Sequence, residues 1–180
     1  MRKISSKGQV WIETMIYILI GLSLLGTVLV FVRPKIQEYQ DNIVLEQTLE
    51  ALNQLDEKVQ AVYYGGQGNT RTVDFQIKRG RIDINAQDDK IIYTLENSRL
   101  KKSEPGRDIK FGEIVLRTEE KSDKRYDISL ILNYSGKFNL LHSDSETPKT
   151  LVAAPSPYKL KLAYQTDDSN NAEVNIEVTS

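Results

Sequence analysis

Residues 1–35, which decide the fold of this chain, read MRKISSKGQVWIETMIYILIGLSLLGTVLVFVRPK. A short basic leader ends in Lys7-Gly8-Gln9, and 19 uncharged residues then run from Thr14 to Val32. As a helix rising about 1.5 Å per residue, this run is roughly 28 Å long, close to the ~30 Å hydrocarbon core of a bilayer. Its apolar residues surround the whole helix, whereas a core helix of a soluble domain has one apolar face. The sequence therefore predicts a membrane-spanning helix over 9–33.

The charges on either side of this helix predict its orientation. Three basic residues precede the helix, and Arg33 and Lys35 follow it. The more basic flank tends to stay in the cytoplasm. We therefore expect a single-pass protein of the cell membrane, in contact with membrane lipid, whose residues after Val32 lie outside the cell.

Glu13 is a carboxylate at the start of the apolar run. An ionised side chain costs roughly 2–3 kcal/mol at the middle of a membrane and less near its surface, so such a residue usually has a partner. Two alternatives follow for Glu13. It either lies in the headgroup region as a solvated flank, or it makes a specific contact.

The residues before Glu13 favour the second alternative. Lys7-Gly8-Gln9, with Glu13 four residues after Gln9 and an apolar helix directly behind, resembles the class III signal peptide of archaeal type IV pilin-like proteins. The resemblance covers about the first 50 to 60 residues, and the family pattern favours serine where this chain has Trp11.

This resemblance implies both a processing step and an assembly contact. A prepilin peptidase would cut between Gly8 and Gln9, removing the leader 1–8 and keeping the helix. Glu13 would then be the fifth residue of the mature chain. In the family, this glutamate is thought to pair with the α-amino group of a neighbouring subunit. A buried carboxylate and a buried ammonium are each costly alone and tolerable as a pair, so the contact would set the register between subunits.

An amphipathic helix that continues from the first is predicted over 34–64, because apolar residues recur there in steps of three and four. One stripe is suited to lying against a domain, and it consists of Leu49, Leu52, Leu55 and Val59. Pro34 either begins a fresh helix or kinks a continuous one. A juxtamembrane coiled coil is the alternative to packing on a domain. The glycines from Gly65 onward end the helix.

The remainder, 70–180, alternates between apolar and polar residues with the period of a β-strand. We count about eight strands, and we expect irregular segments over 97–107 and 143–157. The predicted fold class is α+β: a long N-terminal helix followed by an antiparallel, sandwich-like β domain outside the membrane.

Nothing in the sequence favours catalysis or cofactor binding. The chain has no cysteine, and its single histidine, His142, has no cysteine partner for a metal site. The formal net charge of −1 gives no basis for a nucleic-acid partner. We therefore predict no enzyme activity and assign no catalytic, cofactor-binding or metal-binding residue. Asn133-Tyr134-Ser135 is a possible N-glycosylation site.

These features lead us to expect a structural subunit of a type IV pilus-like filament or envelope assembly. Its expected partners are membrane lipid, a prepilin peptidase and other pilin-like subunits. The alternative is an unprocessed, signal-anchored single-pass membrane protein whose β domain binds a partner in the cell envelope.

Overall fold

The computed structural model describes the backbone of residues 6–179 and the side chains of residues 10–179. Residues 1–5 of the predicted leader therefore lie outside the described residues. The backbone of Gly8 and Gln9, the predicted processing site, lies within the first helix, and the side chain of Gln9 is outside the described set.

One helix, α1 (Ser6–Gly65), contains 60 residues and includes Pro34. Its length is about 90 Å. The helix is continuous through Pro34, so this proline does not begin a fresh helix. Proline removes one backbone donor and so one helical hydrogen bond, a loss that the long flanking helical segments tolerate. After the helix, Gly66 adopts a left-handed φ of 70°, and the Asn69 side chain donates to the Ala61 carbonyl at 3.2 Å.

Ten strands follow α1. They are β1 (Thr70–Phe75), β2 (Arg81–Asn85), β3 (Lys90–Ser98), β4 (Ile109–Phe111), β5 (Ile114–Glu120), β6 (Tyr126–Asn133), β7 (Asn139–His142), β8 (Lys149–Val152), β9 (Tyr158–Thr166) and β10 (Ala172–Thr179). A 3-10 turn, Ser122–Lys124, precedes β6. The prediction of about eight strands was too low, because β4 and β8 are short edge strands. None of the three residues of β4 is buried, and only Leu151 is buried in β8, so neither strand carries the alternation that reveals longer strands.

The strands form two sheets. One sheet has the order β1-β9-β10-β7, and the other has the order β4-β5-β6-β3-β2-β8. Neighbouring strands are antiparallel, with one exception: β7 runs parallel to β10. The predicted α+β architecture, a long helix followed by largely antiparallel sheets, is confirmed.

Both sheets share one hydrophobic core with the second half of α1. The helix contributes a buried stripe with helical spacings of seven, three, four and three residues, made of Leu45, Leu52, Leu55, Val59 and Val62. The predicted Leu49 lies partly buried at the edge of this stripe. Burying each leucine contributes about 2 kcal/mol. The stripe that a coiled coil would present to a second helix is therefore covered by the chain's own sheets.

Candidate anchoring and assembly site

The first half of α1 is apolar and makes no contact with the β domain. Every residue from Val10 to Val32 is exposed, including Phe31 at 72%. The helix has an 18-residue window of mean hydropathy 2.6, none of it buried, and is long and apolar enough to cross a membrane. An apolar surface of this size does not remain in water, so it needs a lipid or protein environment.

Glu13 lies at the start of this exposed half. The Tyr17 hydroxyl, one turn further along the same face, donates a 3.2 Å hydrogen bond to Glu13 Oε1. The Thr14 hydroxyl donates a 2.9 Å bond to the Val10 carbonyl and not to Glu13. Among the side chains of residues 10–179, Glu13 has no cationic partner. Within the described part of the chain, the side-chain contact of this carboxylate is therefore with a neutral group, the Tyr17 hydroxyl.

The predicted processing residues lie close to this carboxylate along the helix. Gly8 and Gln9 are in the same helix, α1, as Glu13. Glu13 comes four positions after Gln9, which is about 6 Å along the axis. A terminus formed at Gln9 would therefore lie about one helical turn from Glu13.

Asp41 marks the point where the exposed half of α1 meets the β domain. Its side chain is only 1% exposed. The carboxylate pairs with the Arg79 guanidinium and accepts a 2.6 Å hydrogen bond from the Ser98 hydroxyl. The Arg99 backbone amide donates a further bond at 3.3 Å. Two loops of the β domain are thereby held against one helical position.

Sequence reasoning missed Asp41, although a signal was present. Asp41 is four residues before Leu45, and it therefore occupies the position in the buried stripe where an apolar residue is expected. A lone carboxylate at such a position predicts a buried partner, because an unpaired buried charge is very costly. The identity of its partners depends on loops that the sequence pattern does not place.

Two lysines extend the junction around Asp41. The Lys102 ammonium donates to Asn42 Oδ1 at 2.8 Å and lies 3.4 Å from Glu46. The Lys78 ammonium donates to Gln47 Oε1 at 2.9 Å. The β1–β2 and β3–β4 loops therefore both contact α1 at the beginning of its buried half.

A second set of contacts fixes the far end of the helix. The Tyr134 hydroxyl donates a 3.0 Å bond to Asp56 Oδ1, and the Tyr134 ring stacks on Phe138 with centroids 4.9 Å apart. Burial, followed by the nearby Asp56 carboxylate, raises the pKa of the Tyr134 hydroxyl. Phe138 also packs against Tyr63 on α1, at 4.8 Å. With both ends held, the second half of α1 is an integral part of the domain.

Asn133, the possible glycosylation residue, is the last residue of β6 and is exposed. Its Oδ1 accepts a 3.1 Å bond from the Ser135 backbone amide. Ser135 is exposed as well, whereas Tyr134 between them is buried. The two side chains of the sequon that a transferase reads are thus both on the surface.

His142 lies in β7, and burial, followed by the charge of Lys149, lowers the pKa of its imidazole. Its Nε2 lies 3.5 Å from the Ser143 hydroxyl. Among the described residues, no group of three His, Cys, Asp or Glu side chains is placed to hold a metal ion.

No family model, curated protein or solved structure matches this chain. The resemblance to pilin-like proteins accordingly rests on the residues from Lys7 to Glu13 and on the apolar helix behind them. Its functional consequences have to be argued from the geometry of α1.

Proposed function

We propose that this chain is a structural subunit of a type IV pilus-like filament or envelope assembly. The subunit is anchored in the membrane by the first half of α1, with the β domain outside, and a prepilin peptidase cuts it between Gly8 and Gln9. Assembly then moves the helix from lipid into contact with the helices of other subunits.

The observation that carries this proposal is the division of one continuous helix into two environments. Residues 14–32 are uncharged and exposed, and the stripe from Leu45 to Val62 is built into the core of the β domain. Because the helix is continuous, its exposed half is held in a fixed direction relative to the half that is buried in the domain. This suits a subunit whose helices pack together while its domain is displayed on the surface.

Glu13 supports the same proposal. Its carboxylate has a neutral partner, Tyr17, and no cation among the described side chains. The α-amino group formed at Gln9 of another subunit would supply the missing charge. Because each charge is costly alone in an apolar environment, the pair favours one axial position between subunits.

Mass spectrometry of the membrane-extracted protein tests the processing step. We expect a mature N-terminus at Gln9 in cells with an active prepilin peptidase and an intact leader in cells without it. An intact leader in both strains would favour the alternative function, an unprocessed signal-anchored protein whose β domain binds an envelope partner.

Replacement of the carboxylate tests the assembly contact. We expect Glu13→Ala and Glu13→Gln to insert into the membrane normally and to reduce incorporation into filaments by at least about 100-fold, because half of a buried pair is removed. Glu57→Ala, which removes an exposed acid from the buried half of the same helix, is the matched control and should assemble normally. Normal incorporation of the Glu13 variants would refute the register role.

A further inference from the structure

The β domain has one end that lies towards the membrane-spanning part of α1. Asp41, which holds Arg79 and Ser98, comes eight residues after Arg33, which is about 12 Å along the helix. The β5–β6 loop lies at the same end of the domain, since Tyr126 is paired with both Ser98 and Glu120. The loops 76–80, 99–108, 121–125 and 153–157 therefore form the proximal end of the domain. The hairpins and loops at 86–89, 112–113, 134–138 and 167–171 form the distal end.

The loops at the two ends carry opposite charge. The proximal loops contain nine lysines and arginines against three acidic residues. The distal loops contain five acidic residues and one lysine. The chain as a whole has a formal net charge of −1, so this separation is a property of the fold and not of the composition.

Two of the proximal cations are free to bind a partner. Arg99 and Lys124 are exposed, and neither of them forms an ion pair among the described residues. They come from two different loops, so the positive charge is spread across the proximal end. A broad, exposed positive surface favours a partner that carries many negative charges over an area.

The distance between this surface and the end of the apolar run favours the lipid headgroups as the negatively charged partner. Leu100, next to Arg99, lies in a groove on α1 lined by Lys35, Glu38 and Tyr39. Lys35 is two residues after Arg33, where the apolar run ends, and Tyr39 is six residues after it. The groove therefore lies about 3–9 Å beyond the apolar run. The headgroup region of a bilayer is about 5–8 Å thick on each side, so this groove lies at the level of the headgroups when α1 spans the membrane. The backbone of Arg99 contacts Asp41 just beyond this level, and its exposed side chain is next to the groove.

We propose that the proximal end of the β domain rests on the anionic phosphate headgroups of the bilayer that holds α1. Arg99 and Lys124 make the contact, and the acidic distal end is held away from the surface. The contact fixes the direction in which the domain stands before assembly. This inference depends on the membrane anchoring in the proposed function, and it does not depend on cleavage or on filament formation.

Fluorescence quenching in vesicles tests the contact. Because the chain has no cysteine, single serine-to-cysteine variants of the full chain take one fluorophore each. Ser122→Cys labels the proximal end, Ser169→Cys labels the distal end, and Ser23→Cys labels the membrane-spanning segment. The proteins are reconstituted in phosphatidylcholine vesicles with or without phosphatidylglycerol, each containing a lipid that carries a quencher on its headgroup or on its acyl chain.

We expect the headgroup quencher to act on the label at position 122 at least about twofold more strongly when phosphatidylglycerol is present, because anionic lipid attracts basic segments near the surface. High salt should remove the difference. The label at position 169 should respond to neither lipid. The double variant Arg99→Gln/Lys124→Gln should lose the effect, whereas Lys90→Gln/Lys137→Gln, which removes two distal cations, should keep it.

Other outcomes would overturn the inference in distinguishable ways. If the acyl-chain quencher fails to reach the label at position 23, the anchoring itself is wrong and the inference falls with it. If that label is quenched and the label at 122 ignores phosphatidylglycerol, only the headgroup contact is wrong. Quenching that follows the protein-to-lipid ratio would assign the basic surface to the acidic end of a second copy. Displacement by inorganic phosphate beyond that by chloride at equal ionic strength would indicate a free-phosphate site.

Discussion

Ser98 donates a 2.6 Å hydrogen bond from its hydroxyl to Oδ2 of Asp41, a residue 57 positions earlier in the chain. The same Ser98 Oγ accepts a 2.9 Å bond from the Leu100 amide, so one side chain orders both the helix contact and the loop that follows β3. Ser98 itself is fully buried. Because Asp41 lies where α1 leaves the domain, this bond is one of the contacts that hold the helix against the sheets at that point.

Removing the carboxylate should destabilise the domain. In Asp41→Ala, the Ser98 hydroxyl and the Arg99 amide lose their acceptor and Arg79 loses its ion pair, so we expect the free energy of unfolding to fall by about 2–4 kcal/mol. Thermal unfolding of the full chain in detergent, followed by circular dichroism, measures the change.

Asp108→Ala provides the control for this measurement. Asp108 also pairs with an arginine, Arg117, at 2.7 Å, but both side chains are exposed and such pairs contribute little. We expect Asp108→Ala to unfold at the wild-type temperature. Equal unfolding temperatures for Asp41→Ala and Asp108→Ala would show that the buried junction does not stabilise the domain.

The sequence predicted those parts of the fold that local pattern determines. The helix, its buried stripe around Leu52 and Leu55, and the longer strands each repeat an apolar residue at a fixed period, and that period reports the element directly. The edge strands β4 and β8 have little or no buried face, so they leave no such pattern. The parallel pairing of β7 with β10 depends on where the chain crosses between sheets, which strand periodicity does not encode.

The candidate site divides in the same way. Glu13 was recognisable because a charge in an apolar run is anomalous within its own segment. Asp41 is anomalous only in relation to the buried face of α1, and its partners Arg79 and Ser98 come from loops distant in sequence. The charge separation between the ends of the domain requires the strand order, because the nine proximal cations are divided among three loops.

Gly80 is expected to tolerate no side chain. Its φ is +80°, and a Cβ at this position would lie 2.4 Å from the Thr94 carbonyl oxygen. Gly80→Ala therefore combines a left-handed backbone with a steric clash against a strand. We expect the free energy of unfolding to fall by about 3 kcal/mol or more, measured by denaturant titration of the detergent-solubilised chain.

Gly112→Ala separates the two contributions. Gly112 has a φ of +62°, and no neighbouring atom lies within 4 Å of the place that a Cβ would occupy. Alanine at this position therefore has the free-energy cost of the left-handed backbone without a steric clash. We expect a loss of about 1 kcal/mol. If Gly80→Ala costs no more than Gly112→Ala, the contact with Thr94 is too loose to constrain the loop that carries Lys78 and Arg79.

Tyr93 should make the domain sensitive to alkali. Its ring is fully buried, its hydroxyl donates a 2.8 Å bond to the Arg79 carbonyl, and burial raises the pKa of the hydroxyl from 10.0 to about 12. Below pH 10 the hydroxyl is protonated in both the folded and the unfolded chain. Between pH 10 and 12 the unfolded chain releases the proton first, so stability falls as the pH rises, by about 2–3 kcal/mol over two pKa units.

Tyr93→Phe isolates this effect. At neutral pH the variant should be about 1 kcal/mol less stable than the wild type, because the hydrogen bond is lost. As the pH rises towards 12 the order should reverse, since phenylalanine does not ionise. Tyr39→Phe, which changes a ring that is 73% exposed, serves as the control. A constant difference between wild type and Tyr93→Phe from pH 7 to 12 would contradict the prediction.

Asn133 should carry a glycan if the β domain is outside the cell. Peptide mass spectrometry of protein purified from its native membrane should find added mass on the peptide that contains Asn133, and none after Ser135→Ala. Ser135→Thr keeps a hydroxyl at the position the transferase reads, so it should retain the modification. Because Asn133 and Ser135 are both exposed, neither substitution should change the unfolding temperature, and loss of the glycan cannot then be attributed to misfolding. An unmodified Asn133 in correctly folded protein would show that the transferase does not use this sequon.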